Sequence, residues 1–235
     1  MTVTYELDAD GVAHARMDDG KANVLNDTSC AGLRDAIARA GDDRAGALVI
    51  WGREGMFSGG IDLTVIRSDD PEARLASLCG IAHTLLAVWT APIPTVAAVT
   101  GHAIAGGAIL AMACDRRIVT SGGAKPPKLG VNETQLGMVF PTWAIAIVAA
   151  GIKPEHHTEV MLEGPLLDPA GAARVGLVHE VADDLVEAVA RATGALAPLP
   201  TKAYAGNKAM LRRAVAAAAA ERVAAEMGAD FARDA

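Results

Sequence analysis

The order of apolar runs and glycine-rich breaks in this chain predicts an α/β fold. GALVIW at 46–51 and TVAAV at 95–99 are short continuous apolar runs, as expected of strands buried on both faces, and RRIVT at 116–120 reads as a third strand. Each of the first two leads into a glycine-rich stretch and then into a helical segment. Strand, loop and helix alternating in this way is the α/β pattern.

The remaining elements follow in order. Residues 3–17 predict a hairpin, because Val3, Tyr5 and Leu7 alternate and Asp10-Gly11 supplies the turn. Asn26 or Asp27 can cap a helix over 28–40, with Leu33 and Ile37 on its apolar stripe. The four glycines of 52–63 predict a loop at the end of a buried strand, a common place for a ligand site. Residues 72–89 predict a helix with Pro71 near its first turn. Residues 121–141 read as mostly irregular. Helices are predicted at 142–150, 154–163 and 170–174, the last started by Asp168-Pro169 and stopped at Gly176. LVHEV at 177–181 is a short strand. Two alanine-rich helices, near 183–197 and 201–232, are separated by Pro198 and Pro200. No sequence repeat is visible. A core at 1–182 and a helical C-terminal region at 183–235 is the expected division.

At 235 residues the chain is long enough to bury a core. Its net charge of −7 argues against nucleic acid and against an anionic membrane surface as main partners. An anionic ligand must then be held locally, by a few cations and backbone N–H groups. Cys30, Cys79 and Cys114 are isolated and odd in number, which suggests neither a disulfide framework nor a metal site. The start, MTVTYELDAD, is acidic where a signal peptide needs a basic and then an apolar region. A cytoplasmic location is expected. Residues 75–114 contain no Asp, Glu, Lys or Arg, but Pro92, Pro94, His102 and a glycine cluster interrupt them. They read as a buried helix, strand and second helix, not as a membrane span.

Two features carry the candidate chemistry. In GHAIAGGAILAMACD at 101–115, paired glycines precede an apolar run, which suggests a tight turn feeding a buried helix. The first N–H groups of that helix lack intrahelical partners, so small side chains leave them open to a ligand oxygen. The same glycines also suit close helix packing. Glu133 is the conspicuous charge of its segment, among Val131, Leu136, Met138, Val139 and Phe140. Burial there would raise its pKa towards the range useful for proton transfer, whereas a surface loop or capping role would not. Other groups point elsewhere. The Lys and Ser/Thr of a phosphate loop are absent after Gly106. No second ligand pair accompanies His156, His157 and Glu159, and no metal is expected. His102 reads as a satisfied core histidine, and Lys125 and Lys128 as solvated loop residues.

FSGGIDL at 57–63, GHAIAGGAILAMACDRRI at 101–118, GVNETQLGMVFP at 130–141 and GLVHEV at 176–181 occur in the order of the crotonase, or enoyl-CoA hydratase/isomerase, superfamily, and KANVLN at 21–26 is similar to its early CoA-loop motif. The chain resembles that family over most of its length. The resemblance implies a superhelix of β-β-α units with a helical C-terminal region that forms homotrimers or dimers of trimers, and a role in fatty acid metabolism. It implies an acyl-CoA thioester as ligand, with coenzyme A part of the substrate and no separate cofactor. It also implies an oxyanion hole made by the backbone N–H groups of Ile61 and Gly106, which would stabilise a thioester enolate. Substrate contacts are implied for Ala22, Val24, Gly59, Gly60, Asp62 and Gly107, with Lys208 towards a phosphate.

The resemblance also bears on reaction type. Hydratases of the superfamily typically place one glutamate two residues after the last glycine of the oxyanion turn, and that position here is Ile109. The second glutamate position holds Glu133. One acid without the other resembles the mitochondrial-type Δ3,Δ2-enoyl-CoA isomerases. Moving a double bond needs only one shuttling base. Glu133 would take a proton from C2 of a 3-enoyl-CoA and return it to C4. A hydratase with a non-standard second group and a noncatalytic CoA-binding or assembly protein are the alternatives.

Overall fold

The computed structural model describes residues 2–228. The hairpin forms as expected: β1 (Thr2–Leu7) pairs antiparallel with β2 (Val12–Asp18). Asp8 Oδ1 accepts the N–H groups of Asp10 and Val12, and Gly11 turns the chain at φ 75°. Helix α1 (Asp27–Asp42) starts at Asn26, whose Oδ1 accepts Ser29 N at 3.1 Å while Ser29 Oγ accepts Asn26 N. That reciprocal cap satisfies two otherwise orphaned donors.

Three successive turns of chain then share one plan. Strand β3 (Ala47–Trp51) is followed by β4 (Gly55–Ser58), a short helix α2 (Leu63–Ile66) and the long helix α3 (Pro71–Thr90). Strand β5 (Thr95–Val99) is followed by β6 (Gly101–Ile104) and α4 (Gly106–Ala113). Strand β7 (Arg116–Thr120) is followed by β8 (Leu129–Gly130) and α5 (Thr142–Gly151). The first strand of each turn enters a six-stranded sheet of order β1-β2-β3-β5-β7-β9, parallel from β2 onward. The second enters a separate parallel sheet, β4-β6-β8. The result is the superhelix of β-β-α units implied by the resemblance.

Strands β4 and β6 correct the expectation of plain loop at 52–63 and of a turn at Gly101, while 121–141 is mostly irregular as expected, with β8 only two residues long. Gly101 lies in β6, against Gly55 of β4, where a β-carbon would overlap the neighbouring backbone. The turn itself falls on Ala105, at φ 50° and ψ −127°. A side chain held there costs on the order of 1–3 kcal/mol, which the surrounding packing must offset.

The chain continues through a 3-10 turn at Pro154–His156, a π-helical turn at Thr158–Glu163, α6 (Pro169–Val175) and β9 (Glu180–Ala182). The expected helix at 154–163 is therefore not α-helical. The strand expected at 177–181 forms only over 180–182. Helix α7 (Leu185–Leu196) lays Ala188 and Val189 against Val49, Val96 and Ala98 on the outer face of the large sheet. Leu48, Ile50, Ala97 and Val99, on the opposite face, belong to the main helical core. Alternate residues of each central strand thus serve two cores, which is why the runs are continuously apolar. Helix α8 (Thr201–Gly228) buries Ala216, Ala219, Val223 and Met227. The part of the expected 201–232 helix beyond 228, and the end of the 183–235 region, lie outside the described residues.

Helix α3 is long and apolar enough to cross a membrane by length and composition alone. Its Ile81, Ala82, Leu85 and Val88 are instead buried in the main core.

Candidate active site

The site forms where the two glycine-rich stretches meet. Loop 59–62 is tied to the segment before α1: Gly59 N donates to Ala22 O (2.8 Å), Leu25 N to Gly60 O (2.7 Å) and Asp62 N to Leu25 O (2.9 Å). These bonds fix Ile61 between two pinned neighbours. Gly60 takes φ 93°, and a β-carbon on it would lie 3.0 Å from Ile104 O and 3.2 Å from Gly106 N. Gly106 opens α4, and a β-carbon on it would lie 3.3 Å from Ile61 Cγ1. Among the described residues, neither the Ile61 nor the Gly106 N–H is bonded to another group of the chain. Two unspent donors therefore stand side by side, one of them at a helix N-terminus where the dipole adds positive potential.

Facing them is a cavity of about 290 Å³. Ala22, Val24, Gly59, Ile61, Gly106, Ile109 and Glu133 all line it. Its other walls are Leu63, Ile66, Ala105, Leu136, Met138, Phe140, Pro141, Trp143 and Ala144, so Glu133 is the only ionisable side chain among the lining residues.

Local hydrogen bonds hold Glu133 in place. Its carbonyl accepts Leu136 N (3.0 Å) and Met138 N (2.9 Å), closing a 3-10 turn over Thr134–Leu136 that ends on left-handed Gly137. Thr134 Oγ1 donates to Met161 O and Gln135 Nε2 to Glu163 O, both at 2.9 Å, which ties the turn to the π-helical segment. Glu133 is 5% exposed, and its buried Oε2 has no partner among the described residues. Burial raises its pKa to about 7. A carboxyl with that pKa takes and gives a proton near neutrality with little driving force wasted.

The other expected site residues divide by position. Ala22 and Val24 reach the cavity, although the Ala22 carbonyl is already committed to Gly59 and the Val24 N–H donates to Asp19 Oδ2 (3.3 Å). Gly60 and Gly107 shape the site from behind the lining. A β-carbon on Gly107 would overlap the Ser58 carbonyl, so close packing is its role. The Asp62 carboxylate is engaged in capping α2 through Thr64 N (2.9 Å) and in accepting Asn26 Nδ2. Lys208 corrects a further expectation. It is buried, donates to Asp115 Oδ2 (2.7 Å) and to Ile93 O (3.1 Å), and does not line the cavity. Its ammonium is committed to a buried pair that Arg212 joins at Asp115 Oδ1, and is not free for a phosphate.

Sequence reasoning missed Trp143. It is one of three tryptophans, and it follows the Pro141 helix start, the one signal that could have marked it. Val139, expected beside Glu133 in an apolar setting, faces outward. His102, expected as a satisfied core histidine, is half-buried, and its Nδ1 accepts Lys128 N (2.9 Å). Among the described residues no group of three or more His, Cys, Asp or Glu gathers as a metal site, and Glu159 is paired with Arg174 and His156.

A superhelix of β-β-α turns built around such a cavity defines a protein of the crotonase fold. Comparison with known proteins carries this further. Residues 8–231 match the enoyl-CoA hydratase/isomerase family. The chain is 29% identical to human mitochondrial enoyl-CoA delta isomerase 1 over 91% of its own length and 72% of that protein. It is 31% identical to a probable enoyl-CoA hydratase of Mycobacterium tuberculosis, over 83% and 75% of the two chains. Among solved structures, human mitochondrial delta3-delta2-enoyl-CoA isomerase superposes with a TM-score of 0.89 at 27% identity, covering 99% of this chain and 92% of that one. An enoyl-CoA hydratase/isomerase family protein from Pseudomonas syringae superposes with a TM-score of 0.88 at 28% identity, covering 96% and 97%. The chain belongs to the enoyl-CoA hydratase/isomerase family.

Proposed function

We propose that this protein shifts the double bond of a 3-enoyl-CoA to the 2 position, using Glu133 as a single proton shuttle. The observation that carries the proposal is that Glu133 is the one ionisable side chain among the cavity-lining residues, with Ile109 at the position where the resemblance places a hydratase's other glutamate. The thioester carbonyl accepts hydrogen bonds from the Ile61 and Gly106 N–H groups. Glu133, as carboxylate, removes a proton from C2. The electron pair delocalises through the thioester and the neighbouring double bond, giving a dienolate whose oxygen charge the two donors stabilise. The same carboxyl then protonates C4, which leaves the double bond between C2 and C3 and restores the base. Hydration would require a second group to position and activate water, and isoleucine supplies none.

Coenzyme A enters as part of the substrate, and the reaction as written needs no further cofactor. The reading sets the enzyme in fatty acid metabolism, in the cytoplasm. It also includes a homotrimer or a dimer of trimers, with the helical region at 183–235 as its contact. Support comes from α8, where Met210 and Leu211 are 87% and 76% exposed. Apolar side chains bared together on one helix suit a subunit contact. Product analysis tests the reaction. With 3-enoyl-CoA the chromatogram should show 2-enoyl-CoA, and with 2-enoyl-CoA little 3-hydroxyacyl-CoA. Rapid hydration of 2-enoyl-CoA without isomerisation of 3-enoyl-CoA would make the protein a hydratase.

A further inference from the structure

The cavity has two unlike ends. Leu63 and Leu136 are 57% and 47% exposed and form its mouth, whereas Ile109, Trp143 and Ala144 are almost fully buried and form its inner end. A CoA thioester is unlike at its two ends as well. The nucleotide end is large, charged and strongly hydrated, so it stays at the mouth, while the acyl tail is apolar and gains by burial. With the carbonyl held at Ile61 and Gly106, the tail runs inward past Glu133 towards Trp143. The wall it meets there is rigid. Trp143 is the largest fully buried side chain among the described residues and is packed into the main core on α5.

The space available is small. A cavity of 290 Å³ lies at the low end of ligand pockets, which run from about 300 to 1,000 Å³. We infer that the cavity limits the length of the acyl chain the protein takes, and that Trp143 is the residue that sets this limit. The inference rests on the acyl-CoA reading of the site and names its substrate class.

Calorimetric titration of the full chain with saturated acyl-CoA thioesters, from butyryl- to palmitoyl-CoA, tests it independently of turnover. Affinity should rise roughly fourfold per added methylene until the chain reaches Trp143, then level or fall well short of palmitoyl-CoA. In Trp143→Ala the rise should continue into longer chains. If that variant does not fold, Ala144→Leu reads the same limit from the other side by moving it to shorter chains. Affinity that climbs steadily through palmitoyl-CoA in the parent, or a limit unmoved in a folded variant, would overturn the inference. Failure of every acyl-CoA to bind would overturn the thioester reading itself, and this inference with it.

Discussion

A β-carbon placed on Gly60 would lie 3.2 Å from the backbone nitrogen of Gly106. The two glycine-rich loops therefore meet backbone to backbone, and the pair of unspent donors exists because no side chain separates them. Gly60→Ala adds that carbon at φ 93°, where an L side chain is strained. The variant should lose about 1–3 kcal/mol of stability and about 10²–10³-fold in kcat, the usual cost of a lost oxyanion donor. Thermal unfolding and steady-state kinetics check both.

Burial of Glu133 makes the protein pH-dependent in two ways. The base is the ionised form, so kcat/KM for isomerisation should rise about tenfold per pH unit at low pH and level off above about pH 7. Stability moves in the opposite direction. The folded-state pKa is raised to about 7 from 4.5, so the stabilisation from binding this proton is complete below about pH 4.5 and lost as pH rises through about 7. Relative to Glu133→Gln, the parent should lose up to roughly 3 kcal/mol across that window. Denaturant titrations of both proteins at several pH values measure the difference.

Lys208 is a structural cation. Lys208→Met should cost up to about 3–5 kcal/mol, the cost of a broken buried pair, because Asp115 loses one of its two cationic partners and keeps Arg212 and Thr95. The affinity of the folded variant for a CoA thioester should be unchanged. A large loss of affinity with little loss of stability would return Lys208 to the phosphate.

How much could be read in advance follows from the range of the interactions. The hairpin and strands at 46–51 and 95–99 were legible because each is written in a single run of side chains. Glu133 was legible as an isolated charge among apolar neighbours, although only folding shows that it is buried. Strands β4, β6 and β8 were not legible. They are short and glycine-bearing, and they exist only by pairing with one another across successive turns of the superhelix. The Lys208–Asp115 pair spans 93 residues and leaves no local trace. Trp143 belongs to the site through the packing of α5, which no spacing announces.

Ile109 tests how far one residue governs reaction type. Ile109→Glu puts a carboxyl at an almost fully buried position with no partner built for it. Burying an unpaired polar group costs on the order of 1–3 kcal/mol, so the variant should be destabilised. It should gain at most weak hydration of 2-enoyl-CoA, because nothing around the new group is arranged to orient it. Hydration at the rate of the parent's isomerisation would show that the surroundings were already prepared for a second glutamate.

The most direct test of the account is the kinetics of Glu133→Gln on 3-enoyl-CoA, measured beside its binding of a saturated acyl-CoA. The substitution keeps the size of the side chain and removes the base, while the donors at Ile61 and Gly106 are backbone groups and remain. Isomerisation should fall by about 10²–10⁴-fold, and the thioester should bind as it does to the parent. A Glu133→Gln protein that isomerises at the parent's rate would contradict the account.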